Sequence, residues 1–290
     1  MERIVDVADG RRLAVSDGGI PDGIPVLVHN GTPNSRLQYG PDVANAVEHG
    51  MRFITYDRPG YGGSTPHPGR TVADCAGDVR AICAALHLDR VLTWGISGGG
   101  PHVLACAARL SDLVPAAASL ASPAPWGAEG LDYFAGMGEM NADETRLYFR
   151  DKAAARAKVE QDRVDFLATT ADDLGELIKT LVSPADAAVF TPGLAAHLVQ
   201  SNVEGLAPGA EGWWEDGVAE FGPWGFDFVD ISIPVLLLHG KQDRFVPFGH
   251  GEWLTAHIPG VEARLTEDDG HLTLTERHLG EVHDWLLEHW

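Results

Sequence analysis

The sequence is short of cysteine and of basic residues, and it contains no long hydrophobic run. Its three cysteines, Cys75, Cys83 and Cys106, are neither evenly paired nor spaced like metal ligands. We therefore expect reduced core thiols, no metal centre and no cofactor. Only 21 lysines and arginines stand against 42 acidic residues, and the formal net charge of −21 disfavours nucleic acid and anionic membrane surfaces as partners.

Two further absences concern location and assembly. No apolar stretch is long enough to span a membrane, and Met1 to Asp6 lack the hydrophobic region of a signal peptide. Together these features predict a cytoplasmic protein with no membrane partner. No feature of the sequence indicates an oligomeric state.

Short apolar runs alternate with helix-like segments along most of the chain. Alternating residues on both sides of Asp9-Gly10 predict two antiparallel strands, and continuous runs such as Pro25–Val28 are typical of buried parallel strands. This pattern predicts an α/β fold with a doubly wound, mostly parallel sheet. Residues 126–225 instead show helical patterns, no convincing strand and an excess of acidic side chains. We therefore predict a core of residues 1–125 plus 226–290, with a helical cap inserted at 126–225.

The pattern around Ser97 predicts a serine nucleophile. Gly95-x-Ser97-x-Gly99 follows an apolar, β-prone run that ends at Trp94, and it precedes Leu, Ala and Val at helical spacing. A strand, a sharp turn and a helix form the setting of a nucleophile elbow, where the flanking glycines let strand and helix approach closely. The start of the helix adds unpaired N–H groups that favour a developing oxyanion.

A serine hydroxyl needs an imidazole to take its proton and a carboxylate to orient that imidazole. In a sheet of this type the acid and then the histidine follow the serine, each after a late strand. Asp243 and His271 both follow short apolar runs in that order, so we predict them as acid and base. Asp268 and Asp269 are too close to His271 in sequence to orient it easily, and we expect them to be solvated turn residues.

The other histidines fit structural roles better than catalytic ones. His29 and His239 end predicted strands, where we expect their rings to form hydrogen bonds with loops. His102 lies on the elbow helix and is a candidate for lining the site. Five more are in helix-like segments and are expected at exposed or capping positions: His250, His257, His278, His283 and His289.

Five motifs, in order and spacing, resemble those of the capped α/β-hydrolases. They are His29-x-Gly31-Thr32-Pro33, Asp57-Arg58-Pro59-Gly60-Tyr61-Gly62, Gly95-x-Ser97-x-Gly99, His239-Gly240-x-x-Asp243 and Gly270-His271. The resemblance covers the whole chain outside the cap. It implies that Ser97 is the nucleophile, His271 the general base and acid, and Asp243 the orienting acid.

The same resemblance implies an oxyanion hole with two backbone donors. One is the N–H of Gly98, and the other comes from the loop after the first parallel strand. That loop usually reads His-Gly-x-Pro in the family, whereas here Asn30 adds a residue. Gly31 and Thr32 are therefore alternative donors, and we favour Thr32, which precedes Pro33.

The nucleophile separates this chain from two relatives of the same fold. Haloalkane dehalogenases and epoxide hydrolases carry aspartate at the position of Ser97, and the usual elbow of prolyl iminopeptidases, Gly-Gly-Ser-Trp-Gly, is absent. The resemblance implies a serine hydrolase that cleaves a small or medium apolar carboxylic ester through an acyl-enzyme. The alternatives are hydrolysis of another acyl bond (aminoacyl amide, thioester, lactone or carbon–carbon) and a ligand receptor that retains the triad.

Aromatic residues at the ends of the cap indicate how an apolar acyl substrate would be bound. A cap over the carboxyl ends of the strands lines the cavity above the nucleophile. We predict substrate contacts for Trp126, Trp213, Trp214 and Trp224, together with His102. The alternative for the tryptophans is that they pin the cap to the core.

Overall fold

The computed structural model describes all residues from Met1 to Trp290. Eight strands form one sheet in the order β1-β2-β4-β3-β5-β6-β7-β8. Their bounds are β1 Glu2–Asp6, β2 Arg12–Gly19, β3 Ile24–His29, β4 Met51–Tyr56, β5 Leu92–Ile96, β6 Ala117–Leu120, β7 Val235–Gly240 and β8 Glu262–Thr266. Only the β1–β2 and β2–β4 pairs are antiparallel. The prediction of an α/β fold with a mostly parallel sheet is confirmed.

Helices cover both faces of this sheet. The α-helices are α1 Gly40–Glu48, α2 Cys75–Ala85, α3 Gly100–Arg109, α4 Glu139–Arg150, α5 Lys152–Ala168, α6 Ala171–Leu181, α7 Pro184–Val189, α8 Pro192–Leu206, α9 Glu211–Phe221, α10 Phe248–His257 and α11 Thr273–Glu288. Three 3₁₀ turns lie at Val72–Asp74, Ser97–Gly99 and Phe228–Asp230. None of the helices combines the length and apolar character required to cross a bilayer.

The core is divided by the sheet into two layers. Along β3, Val26 and Val28 pack in one cluster with residues of α1 and α11, while Leu27 packs in the other with residues of α2, α3 and α10. Successive side chains of a strand point to opposite faces, so a strand buried on both faces needs an unbroken apolar run. Pro25–Val28 has that composition because helices cover both of its sides.

Helices α4 to α9 lie between β6 and β7 in the chain, and we call residues 139–221 the inserted segment. It contacts loops that leave the carboxyl ends of β3, β4 and β8: Ser201 Oγ accepts from Ser35 N, Gly205 O from Gly62 N, and Asp186 from His271 N. In open α/β sheets ligands bind at this edge. The inserted segment therefore lies beside the site expected for a ligand, whereas the cap limits 126–225 stay a prediction.

Candidate active site

Ser97 occupies the turn between β5 and the helix that follows. Its φ is +57°, a left-handed conformation that is uncommon for a residue with a side chain. A Cβ on Gly95 would lie 2.8 Å from the carbonyl oxygen of His29, and one on Gly99 would lie 2.0 Å from the same atom. Only glycine fits at both positions, so the turn is tight and the Ser97 side chain stays partly exposed.

Asp243 and His271 form a hydrogen-bonded pair. His271 Nδ1 donates to Asp243 Oδ2 over 2.7 Å, and Asp243 Oδ1 accepts from the N–H groups of Phe245 at 2.8 Å and Val246 at 2.9 Å. Both carboxylate oxygens are thus held by donors, which fixes the plane of the carboxylate. Because Nδ1 carries the proton, Nε2 of His271 is the nitrogen with a free lone pair.

The pKa of His271 is raised above its ordinary value. Burial lowers the pKa of this imidazole, but the adjacent Asp243 carboxylate outweighs that effect and Asp186 adds to it. Both carboxylates favour the imidazolium form. The structure has no hydrogen bond between the Ser97 hydroxyl and His271, and such contacts often shorten only when substrate binds.

Gly31 and Thr32 lie beside the elbow. A Cβ on Gly31 would lie 3.4 Å from Ser97 Cβ, and a Cβ on Gly98 would lie 3.5 Å from Thr32 N. Neither Gly31 N–H nor Thr32 N–H donates a hydrogen bond within the protein. Both groups are therefore available next to Ser97, and the choice of Thr32 stays a prediction.

A buried charge cluster supports the Thr32 loop. Thr32 Oγ1 accepts from Arg58 over 2.9 Å and donates to Asp216 of α9 over 3.1 Å. Asp216 also binds Arg58 at 2.7 Å and Arg70 at 2.6 Å, and all three charged side chains are 3% exposed. Tyr61 adds a fourth donor to Asp216 at 2.8 Å. Burial raises the pKa of Asp216, but Arg58 and Arg70 outweigh it and hold that pKa far below its usual range.

Sequence analysis did not identify the partners in this cluster. Arg58 belongs to the Asp57-Arg58-Pro59 motif, which indicates a loop but does not predict which residues Arg58 contacts. Asp216 does not belong to any of the five motifs. The structure shows that the inserted segment, through Asp216, holds the loop that contains the candidate oxyanion donor.

His102 lies behind the elbow rather than in front of it. Its ring is buried, Nδ1 is 2.9 Å from Gly98 O, and its ring stacks on His29 with centroids 6.0 Å apart. Burial, together with the charge of Arg58, lowers its pKa to about 3, so the ring is neutral. These contacts fit a structural ring held against the main chain of the elbow, and substrate contact by His102 stays a prediction.

Trp224 is likewise a core residue. Its ring is buried with Phe226 and Phe228, and its Nε1 donates to Glu220 O over 2.9 Å. Its polar group is satisfied and its ring is enclosed by the core, which fits a residue that pins the cap, and substrate contact stays a prediction.

The other three tryptophans predicted to contact substrate are partly exposed and pack on other rings. Trp126 stacks on Phe149 with centroids 3.9 Å apart. Trp213 and Trp214 lie on α9, where the nearest aromatic contacts are Phe166 at 5.5 Å and Tyr148 at 5.6 Å. These contacts fit rings that hold the inserted segment together, and substrate contact stays a prediction for all three.

Three polar residues expected near the surface are buried. Asp269 binds Arg277 at 3.1 Å and His278 at 2.9 Å, so it is not a solvated turn residue. His250 accepts from Ala124 N, and His283 contacts Asn45. Both histidines are enclosed because the chain from Ala124 to Tyr133 lies against α10 and α1 lies against α11.

A cavity of about 250 Å³ is lined by Phe245, two residues after Asp243, but not by Ser97, Asp243 or His271. Residues of α4 and α6 form one side of it, and Arg244 and Phe245, from the loop after β7, form the other. The Phe245 ring is 5.2 Å from the ring of His271. The sequence alone did not indicate this cavity, although Phe245 lies only two residues after the predicted acid.

No group of three or more His, Cys, Asp or Glu side chains is arranged to hold a metal ion.

Comparisons with known proteins identify the fold family of the chain. Residues 24–277 match the family model described as the alpha/beta hydrolase fold. The chain is 29% identical over 252 residues to a non-heme chloroperoxidase of Streptomyces lividans, a match that covers 84% of this chain and 83% of that protein. It is 27% identical over 278 residues to 3-oxoadipate enol-lactonase 1 of Acinetobacter baylyi, covering 92% and 89%. The crystal structure of the enol-lactonase from Burkholderia xenovorans LB400 superposes with a TM-score of 0.70 at 21% identity, covering 99% and 100% of the two chains, and shows the shared fold.

Proposed function

We propose that the chain, which belongs to the α/β-hydrolase fold family, is a serine hydrolase of small or medium apolar carboxylic esters. The family also shows that it is an enzyme of the hydrolase class. The observation that carries the proposal is the 2.7 Å hydrogen bond from His271 Nδ1 to Asp243 Oδ2. It leaves Nε2 as the proton acceptor of the base. The left-handed turn at Ser97 supports the proposal, since it holds a hydroxyl clear of the sheet.

The first half of the proposed reaction forms an acyl-enzyme. Ser97 Oγ attacks the ester carbonyl carbon while its proton passes to His271 Nε2. The carbonyl oxygen becomes an oxyanion that accepts hydrogen bonds from Gly98 N–H and from Thr32 N–H, with Gly31 as the alternative loop donor. Collapse of this intermediate breaks the bond to the alcohol, which leaves with the proton from His271.

The second half uses water in place of the serine. His271 Nε2 takes a proton from water, and the resulting hydroxide attacks the acyl carbon. The second oxyanion collapses, Ser97 leaves with the proton from His271, and the carboxylic acid is released. Asp243 stays ionised throughout and stabilises the imidazolium in both halves.

The surroundings of the base favour an apolar acyl group. Phe245 lines the 250 Å³ cavity together with Met140 and Leu181, and its ring is 5.2 Å from the ring of His271. Each buried methylene of an acyl chain adds about 0.8 kcal/mol of binding there. We propose that this cavity takes the apolar acyl group and that residues 126–225 act as the cap over it.

Lactone hydrolysis is the second candidate. A lactone is a cyclic ester, so the same nucleophile, base and oxyanion donors cleave it. The observation that favours it is the likeness to 3-oxoadipate enol-lactonase 1 of Acinetobacter baylyi, which extends over 92% of the chain.

A substrate panel tests the proposal. We expect p-nitrophenyl esters to be hydrolysed with a kcat/KM that rises with acyl length from acetate until the cavity is filled and then falls. A neutral lactone, a thioester and an aminoacyl anilide in the same panel separate the acyl-bond alternatives. A fluorophosphonate probe, which reacts with activated serines, should label the wild-type protein at Ser97.

The Ser97→Ala variant connects the activity to the site. We expect kcat to fall by roughly four to six orders of magnitude, and the Ser97→Ala/His271→Ala double variant to lose little more, since the residues act as a unit. Ser111→Ala is the matched control, because Ser111 is an exposed serine outside the site. Wild-type turnover by Ser97→Ala, or a protein that binds esters without turning them over or reacting with the probe, would contradict the proposal.

A further inference from the structure

Asp186 is a buried carboxylate with no cationic partner. It lies at the start of α7 in the inserted segment and has no measurable exposure. Its Oδ2 accepts from His271 N at 2.9 Å, and its Oδ1 accepts from Leu272 N at 2.7 Å and Thr273 N at 3.1 Å. All three donors belong to the main chain of the candidate base and the two residues that follow it.

The start of α7 presents this carboxylate to another part of the chain. Ser183 caps α7 by accepting from Asp186 N at 3.2 Å, and Ser183 Oγ also donates to Asp186 Oδ2 at 3.2 Å. An acidic residue at this third helical position often turns back to its own cap. Here it reaches the first N–H groups of α11, where a negative charge is favourable. A Cβ on Gly270 would lie 2.1 Å from Asp186 Oδ2, so glycine at that position allows the approach.

We propose that Asp186 is a positioning residue for His271, through which the inserted segment fixes the place of the catalytic base. The inference rests on the proposed function, since it assigns the base to His271. Asp243 fixes the imidazole from one side through Nδ1, whereas Asp186 fixes the main chain that carries the imidazole. If either carboxylate is removed, His271 is held only through its ring or only through its main chain.

The charges around the imidazole define what the contact does to proton transfer. Asp243 faces it from the loop after β7 and Asp186 from α7, and both raise the pKa of His271. His239 of β7 is the third titratable group, with its Nε2 3.9 Å from Asp243 Oδ2, and burial keeps its ring neutral by lowering its pKa. Removing the Asp186 charge therefore lowers the pKa of His271 without touching its partner Asp243.

The test compares Asp186→Asn with Asp151→Asn. Asp151 caps α5 in the same inserted segment, accepting from Ala153 N at 3.1 Å and Ala154 N at 3.0 Å, but it is exposed and bonds only to its own helix. For Asp186→Asn we expect kcat to fall by about 10²-fold, the scale for a misplaced catalytic group. KM should stay close to wild type, and the acid limb of kcat/KM should move to lower pH. Asp151→Asn should change none of these quantities.

Labelling with a fluorophosphonate separates failure of this inference from failure of the proposed function. A wild-type protein that neither hydrolyses esters nor labels at Ser97 overturns the proposed function. A wild-type protein that labels, with Asp186→Asn equal to Asp151→Asn in kcat and in the pH of the acid limb, overturns the role of Asp186. Loss of thermal stability with an unmoved acid limb also overturns it, because a purely structural contact gives that result.

Ser183→Ala keeps the inference testable if Asp186→Asn does not fold. It removes the hydroxyl that bonds Asp186 Oδ2 and leaves the carboxylate charge in place. We expect a folded protein with a several-fold lower kcat and an unchanged KM. A folded Ser183→Ala protein with wild-type kcat overturns the inference.

Discussion

Replacing Asp216 with asparagine isolates the contribution of a buried charge, since the side chain keeps its shape. Arg58 and Arg70 bind its carboxylate at 2.7 and 2.6 Å, and all three side chains are 3% exposed. Removing one partner of a buried ion pair costs about 3–5 kcal/mol, because the remaining charge is left uncompensated in the interior. Here two guanidinium groups lose their counter-ion, so we expect the free energy of unfolding to fall by an amount within this range.

The cost converts into a shift of the melting temperature. At about 2.1 cal/mol/K per residue, a chain of 290 residues unfolds with an entropy near 0.6 kcal/mol/K. The melting temperature of Asp216→Asn should then fall by about 5–8 °C, measured by circular dichroism or calorimetry. The variant also weakens the bond to Thr32, so kcat on the best ester should fall by about 10²-fold, the scale for one oxyanion donor.

Asp112→Asn is the matched control for burial. Arg80 binds Asp112 with the same charge types at 2.8 Å, but the two side chains are 52% and 64% exposed. Exposed pairs contribute little, since water solvates the charges with or without the partner. We expect Asp112→Asn to have the same melting temperature as the wild type. Equal melting temperatures for the two variants would refute the argument from burial, and an unchanged kcat in Asp216→Asn would refute the link to the Thr32 loop.

Two further predictions concern the base and the oxyanion loop. Asp243→Asn should lower kcat by about 10⁴-fold and move the acid limb of kcat/KM to lower pH, because Asp243 is the main group that raises the pKa of His271. A pH–rate profile of the residual activity checks this, and an unmoved limb would count against Asp243 as the partner. Deleting Asn30 should lower kcat by about 10²-fold, since it removes the carbonyl that accepts from Arg58 and the side-chain bond to Ser35 O at 2.7 Å. Unchanged turnover by a folded deletion variant would show that this loop does not place the donor.

The sequence was most informative where geometry is set locally. The turn at Ser97 requires glycine on both sides, because Gly95 and Gly99 each pack against the carbonyl of His29. That requirement leaves a short pattern in the sequence, and the pattern is sufficient to place the turn. The positions of Asp243 and His271 were predictable for a related reason, since side chains that follow parallel strands collect at one edge of the sheet.

The contacts made by the inserted segment were not predictable in this way. Asp216 is 158 residues from Arg58, and Asp186 is 85 residues from His271. Such contacts depend on how helices dock, which leaves no periodic signal. Ser183-x-x-Asp186 has the pattern of a helix start, yet that pattern predicts only the cap of α7 and not the partner that the carboxylate finds.

Burial of helical side chains was also misjudged. His250 and His283 were expected at exposed or capping positions because they are polar residues in helix-like segments. Both are enclosed, since the chain from Ala124 to Tyr133 covers α10 and α1 covers α11. Two-sided burial of a helix is a property of the assembled fold.

The attachment of the inserted segment determines which part of it is free to move. Helices α8 and α9 are tied to the loop after β3 through Ser201 and Asp216, and α7 is tied to the loop after β8 through Asp186, so a swing of the whole segment would break all three ties together. No hydrogen bond joins α4, α5 or α6 to the sheet or its loops, apart from Gly138 N at the start of α4, which donates to Arg244 O. A movement that spares those three ties would have to shift α4–α6 against α8 and α9, to which α5 is bonded through Arg163 and Arg156. Because α4 and α6 also wall the cavity beside Phe245, such a movement would change the shape of that cavity while the contacts of Asp186, Ser201 and Asp216 stay in place.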